Sequence, residues 1–376
     1  MRSRTFVILA VIFCLLGIAA LYSFRQGRTS QGTGMGEPLF EALAVDRIEE
    51  IRLVGPASQV QLKKGAEGWE VENLYGYPAA FASIAELIGT MTDLKIGRDF
   101  TADEQIRERL ALYPPQASGK RPAGQQGTRI VVTDGQHHVL ADLLIGKGRE
   151  ADNRTAGGHY LMRLQPPSDD TVFLVDKSFG FLKTDPADWA VKDLLDVDAA
   201  AVRQVDCFDL KSGALVYRLA RTEKTAPAVL DGLQTNEVPD SGKVNRVMSA
   251  LTGLTIDGVA GDRQTVDLTT LSAPRRFEYH LFDGTVYTLE TARGPDADQE
   301  QNYLKVGAAW NPVAAAEENR SPSEGTSDGA LKTPEDDPAA VVKRVEERLR
   351  PWTYTISTWK HEALVVDRSG LLKQEG

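Results

Sequence analysis

The sequence is poor in the groups on which covalent and metal chemistry depends. Its 376 residues include two cysteines and five histidines, and aromatic side chains make up 7%. Cys14 lies inside an apolar run, so Cys207 stands alone in the rest of the chain and no intrachain disulfide can form there. No partner motif accompanies Cys207, and its expected role is a small buried side chain on a strand. His137, His138, His159, His280 and His361 show no second ligand two or four residues on. Zinc or iron needs three or four converging donors, so these read as exposed loop or strand histidines and no metal ligand is assigned. The acidic series Asp185, Asp188, Asp193, Asp196 and Asp198 lacks the D-x-D-x-D-G loop and distant glutamate of a calcium site, and reads as solvated surface.

Phosphate cradles are missing too. Gly32, Gly34 and Gly36 follow no strand, and Gly146-Lys147-Gly148 has no P-loop spacing, so no nucleotide or other cofactor site is expected. A net charge of −10 supplies no basic field for nucleic acid. Ser357-Thr358-Trp359-Lys360 matches the S-x-x-K pattern of serine acyltransferases, but neither S-D-N nor K-T-G occurs. Residues 353–357 read as a strand, which would turn Ser357 and Lys360 to opposite faces. No catalytic residue is assigned.

What is present is a pattern that occurs twice. Ile84, Leu87, Ile88, Met91 and Leu94 are matched by Val244, Val247, Met248, Leu251 and Leu254 at one constant offset. The spacing i, i+3, i+4, i+7, i+10 marks one stripe of an amphipathic helix. Ser83 and Glu86 suggest a capping box for the first copy, and Asp240 or Ser241 an N-cap for the second. Strand-like stretches precede each helix, at 48–54, 60–62 and 69–71, then at 202–210, 215–219 and 229–230. A hairpin follows each, 128–133 with 139–145 around Asp134-Gly135, and 276–282 with 285–291 around Asp283-Gly284. A last strand, 171–175 or 353–357, and a Leu-Leu segment, 193–195 or 370–372, close each half.

This order predicts an α+β fold: two tandem repeated domains of mostly antiparallel strands with one main helix each, 38–198 and 199–376. Ahead of them, Thr5 to Phe24 is a largely apolar stretch preceded by Arg2 and Arg4, long enough for a transmembrane helix. No small-x-small cleavage site follows it, so residues 1–25 read as a cytoplasmic tail and uncleaved anchor in the inner membrane, with 26–37 a flexible linker. A short N-terminal anchor leaves the bulk of the chain outside the cytoplasm, in a bacterium the periplasm.

Within the second half, 294–338 accumulates Gly, Pro, Ser, Asp and Glu and reads as an acidic disordered insertion. Beyond it 338–350 reads as a helix with Val341, Val342, Val345 and Leu349 on one face and Glu346 paired to Arg350. Among five tryptophans, Trp69 reads as core, while Trp310 and Trp359 are the candidates for an interaction surface.

The anchor, the strands leading to Gly68-Trp69-Glu70-Val71, the helix ending in Met91-Thr92-Asp93-Leu94, Ile145-Gly146 after a hairpin, and the closing Trp352-Thr353-Tyr354-Thr355-Ile356-Ser357 together resemble the family catalogued as domain of unknown function 4340. The resemblance implies an accessory extracytoplasmic subunit that accompanies ABC transporters of the gliding-motility auxiliary type. The expectation is a non-enzymatic, membrane-anchored scaffold whose partners are an ABC permease and ATPase or other envelope proteins. The rival classes are a periplasmic binding module for cell-wall glycan or another envelope ligand, and a hydrolase with an unrecognised site.

Overall fold

The computed structural model describes residues 35–115, 121–151, 157–165, 170–294, 301–312 and 337–373. The apolar run at 5–24, Cys14, the linker up to 34 and residues 295–300 and 313–336 of the acidic stretch lie outside them. The stretch is not one disordered insertion from 294 to 338, because 302–310 form a strand of the second unit's main sheet that buries Leu304 and Val306. No helix among the described residues is long and apolar enough to cross a membrane. The chain divides into two units, one formed by Met1–Trp69 with Phe81–Trp189, the other by Glu70–Ala80 with Ala190–Gly376.

From Ile48 to Val175 the elements are β1 (Ile48–Val54), β2 (Gln59–Gly65), β3 (Gly68–Val71), β4 (Tyr77–Pro78), α1 (Phe81–Thr92), β5 (Ile96–Thr101), α2 (Glu104–Arg109), β6 (Thr128–Asp134), β7 (Val139–Arg149), β8 (Gly158–Arg163) and β9 (Thr171–Val175). Seven strands of the first unit lie in the order β2-β1-β6-β7-β8-β9-β5. Every neighbouring pair is antiparallel. Alternate strand residues such as Val60 and Leu62, or Ile130 and Val132, are buried, as the two-residue period requires. Helix α1 buries Ile84, Leu87 and Met91, and Leu94 just beyond it is buried too.

The helix starts at Phe81, three residues earlier than a Ser83 N-cap implies, so Ser83 lies inside its first turn and forms no capping box. Half-buried Trp69 also departs from its expected core position, because β3 carries a burial pattern in which Val71 is its one buried residue.

A close backbone approach explains the glycine of Ile145-Gly146. A Cβ on Gly146 would stand 2.4 Å from the Leu110 carbonyl oxygen and 2.8 Å from Leu112 Cδ2. Lys147 donates its backbone N–H to that same carbonyl at 2.9 Å, which holds the two segments together. Gly146→Ala is therefore expected to destabilise by about 1–3 kcal/mol. Urea unfolding checks this, and a loss under about 0.5 kcal/mol, the scale of an ordinary surface change, would refute the close approach.

The second unit continues with β10 (Asp193–Leu195), β11 (Val202–Asp209), β12 (Leu215–Ala220), β13 (Val229–Leu230), α3 (Ser241–Met248), β14 (Leu254–Thr255), β15 (Gly258–Asp262), β16 (Ser272–Leu281), β17 (Thr285–Arg293), β18 (Asn302–Trp310), α4 (Pro338–Leu349), β19 (Trp352–Ile356) and α5 (Thr358–Leu364). Its main sheet runs β13-β12-β11-β16-β17-β18-β19-β15, again antiparallel throughout. From β12 to β15 this order has the same connectivity as β2 to β5 in the first unit. The molecule is thus built of mostly antiparallel sheets with a few helices.

Asp240 caps α3, accepting from the N–H groups of Gly242 and Lys243. The helix stops at Met248, short of the stripe's end, and Gly253 takes a left-handed φ of +59° in the turn beyond it. Leu251 and Leu254 nevertheless join Val244, Val247 and Met248 in one core with Val205, Phe277, Tyr279 and Tyr354. Cys207 is wholly buried in that core, and burial pushes its thiol up to about 12. Pro338 at the start of α4 and Asp337 as its N-cap follow the usual helix-entry chemistry.

Candidate functional site

Helix α5 positions the most exposed tryptophan. Strand β19 ends at Ile356, and Ser357 becomes the residue before the helix, which overturns the strand reading of Ser357 and its opposite-face geometry with Lys360. Successive helical positions then sort by period: His361 and Leu364 are buried, and Trp359 is 68% exposed. Lys360 sends its ammonium to the Thr255 carbonyl at 2.8 Å and to the Thr255 hydroxyl at 2.5 Å. Its Nζ also sits 5.4 Å from the centre of the Trp359 ring, within range of a cation–π contact.

This arrangement does not make Ser357 a nucleophile paired with a base. Its Oγ is buried without a hydrogen-bond partner among the described residues and does not cap α5, while the Lys360 ammonium is spent on Thr255. Ser357→Ala is expected to leave stability unchanged or raise it by up to about 1 kcal/mol, because an unpaired buried hydroxyl is removed. A thermal melt that drops by more than that would reveal a bond to the hydroxyl.

Beside Trp359 lies a cavity of about 230 Å³ whose floor includes Ala250, Leu254, Ala363 and Leu364. Arg246, in the last turn of α3, stands at its rim with Trp359 and Lys360. Among the described residues no carboxylate lines it. Trp310, the other tryptophan proposed for a surface, is half-buried at the end of β18 and donates its indole N–H to the Asp283 carbonyl at 3.3 Å.

The second polar centre is on the sheet. Asp206 in β11, Glu278 and His280 in β16 place one donor atom each within 4.8 Å of one another. Glu278 and His280 share a face because they are two residues apart on a strand, an E-x-H signal that a search for histidine pairs passes over. An N, O, O donor set could in principle take a divalent cation. Here Arg218 grips Asp206 through Nε at 2.6 Å and Nη2 at 3.1 Å, and Gln204 donates to the same carboxylate at 2.8 Å. Arg276 lies 3.3 Å from Glu278. Burial pushes the Asp206 carboxyl up, but His280, Arg218 and Gln204 outweigh it and hold it at about 2. A cation at this point would face Arg218 across a carboxylate already spent, so the cluster is an ion-pair network.

The remaining candidates are absorbed locally. Asp185, Asp196 and Asp198 accept backbone N–H groups of Ala187, Gly253 and Ala200. His137 and His138 are exposed, His159 is half-buried, and His361 departs from the expectation of exposed histidines by being 2% exposed. It is buried because α5 turns it inward one turn before Leu364.

A family model described as Domain of unknown function (DUF4340) matches residues 69–274. That span includes Trp69, the end of α1 and Ile145-Gly146, and stops before the closing Trp352 to Ser357 segment. No curated protein and no solved structure matches the chain.

Proposed function

The chain belongs to the DUF4340 family, matched over more than half of its length, and from that premise and the geometry of the second unit we propose that it is a non-enzymatic protein-contact subunit. In this reading the apolar run at 5–24 anchors it in a bacterial inner membrane and the two units work on the periplasmic side, as an accessory or scaffold of an ABC-transporter-associated or envelope complex. The observation that carries the contact role is the Trp359 cavity: an exposed indole beside an apolar floor, where Ser357 and Lys360 do not form a nucleophile–base pair. The polar groups of the sheet, by contrast, are turned on one another.

A tandem duplication underlies the two units. The shared connectivity of their strands, together with the matched stripes of α1 and α3, supports it. Such a duplicate keeps interior positions, and outward positions are left to diverge into contact surfaces.

Mild detergent solubilisation of membranes holding a tagged full chain is the test. Copurification with an ABC permease and ATPase is expected, and a chain that comes away alone from membranes containing them would overturn the reading. The second reading, an envelope-glycan module, draws on the exposed face of Trp359, on which a sugar ring could stack. Retention of the chain on purified peptidoglycan would favour it.

A further inference from the structure

Resting on that contact reading of the same cavity, we propose that its occupant is an acidic-apolar segment of a partner protein, seating one apolar side chain against Trp359, Ala250 and Ala363 with a neighbouring carboxylate against Arg246.

Size selects the class of occupant. At about 230 Å³ the cavity is smaller than the roughly 300–1,000 Å³ typical of small-molecule sites. It suits a single anchoring side chain, the usual unit of a protein hot spot. Its apolar lining is Ala250 and Ala363, both half-buried, backed by the buried Leu254 and Leu364. The exposed Trp359 ring forms one wall and offers apolar surface to an inserted side chain.

Charge selects the chemistry. Among the described residues the rim carries Arg246 and Lys360 and no carboxylate, on a chain whose net charge is −10. Lys360 is tied down by Thr255 and Asp257, the latter at 4.0 Å. Arg246 is exposed, and its guanidinium has no hydrogen-bond or ion-pair partner among the described residues. A free guanidinium beside an apolar hole favours a segment presenting a carboxylate next to an aliphatic or aromatic anchor, and repels a basic one.

The experiment measures binding of three dye-labelled synthetic peptides of twelve residues to the detergent-solubilised full chain by fluorescence anisotropy. Each has one central phenylalanine, flanked by glutamates, glutamines or lysines. The glutamate peptide is expected to bind best, about two- to five-fold above the glutamine peptide, the scale of an exposed ion pair. Trp359→Ala, at a surface position, is expected to weaken it about tenfold or more. Arg246→Glu is expected to invert the order, so that the lysine peptide binds best. Equal binding of the three peptides, no effect of Trp359→Ala, or binding of a chito-oligosaccharide at this cavity in place of any peptide would overturn the proposal. Copurification with transporter partners tests the broader reading separately. If it survives both substitutions, the chain makes its contacts elsewhere and the assignment of this cavity alone falls.

Discussion

Replacing Tyr77 by alanine is expected to destabilise the second unit by about 3–5 kcal/mol, the range for truncating a large buried aromatic side chain. Tyr77 is 4% exposed and belongs to the same core as Val205, Tyr279 and Leu289, although it stands more than one hundred residues before them. Its ring meets Trp352 edge-on at 5.3 Å and Tyr354 at 6.0 Å. Such pairs add to what area burial alone supplies. The hydroxyl donates to the Val191 carbonyl at 3.1 Å, and burial pushes its pKa up to about 12. Alanine would leave a cavity between two aromatic rings and an unpaired carbonyl. Tyr77→Phe keeps the ring and is expected to lose only about 1 kcal/mol. Hydrogen exchange at the amides of β16 to β19 reads the second unit directly, which avoids assigning one unfolding transition to a chain of two units. A loss below about 1 kcal/mol for the alanine variant, within the range of an average substitution, would show that the segment at 70–80 is not an integral part of that core.

Acidification is expected to weaken the second unit through His361, in a window above that of Asp206. Thr291 donates its single hydroxyl proton to the Tyr303 carbonyl at 2.8 Å, so at the 2.9 Å contact with His361 it must accept from Nδ1–H. Nδ1 therefore carries a proton, and burial favours the neutral ring over the imidazolium. Burial, reinforced by the positive charge of Arg293, lowers the His361 pKa from 6.5 to about 4. The neighbours on its own helix are Lys360, held by Thr255, and Glu362, which lies 3.5 Å from Arg293.

Because the unfolded chain takes up this proton more readily than the folded one, the contribution of His361 is full above pH 6.5 and is lost as pH falls toward 4. A separation of this size corresponds to roughly 3 kcal/mol. Asp206 acts in a lower window: its pKa is depressed to about 2, so its contribution is present above 3.8 and is lost only as pH falls through about 2. His159, also lowered by burial, lies in the first unit and is separated from His361 by following exchange in β17 and α5. His361→Asn, whose amide can still donate to Thr291, is expected to flatten the stability profile between pH 6.5 and 4. An unchanged slope in that variant would assign the acid sensitivity to another group.

Several elements were legible because they depend on neighbours in sequence. The stripe Ile84, Leu87, Met91 is buried as its period requires, and the hairpins around Asp134-Gly135 and Asp283-Gly284 pair as their turn residues suggest. Asp240 caps α3 by the same local logic. The signal was weaker where two periods compete for one residue. Ser357 continues the apparent strand of 353–356 by composition, yet the helical spacing of His361 and Leu364 starts a helix instead, carrying His361 inward. In the second stripe, Leu251 and Leu254 keep their buried places without a helix, since a turn through Gly253 can deliver an apolar side chain as well as another helical turn can.

By itself the sequence determined the α+β class, the antiparallel hairpins, the solitary buried Cys207 and the absence of a basic field, all consequences of local periodicity, turn chemistry and composition. Only the tertiary structure decided that Glu70–Ala80 belongs with the second unit, that Asp206 meets His280, and that Arg246 stands free beside Trp359. Those facts depend on strand pairing and helix packing between residues far apart in the chain, and such contacts leave no periodic trace in the residues that make them.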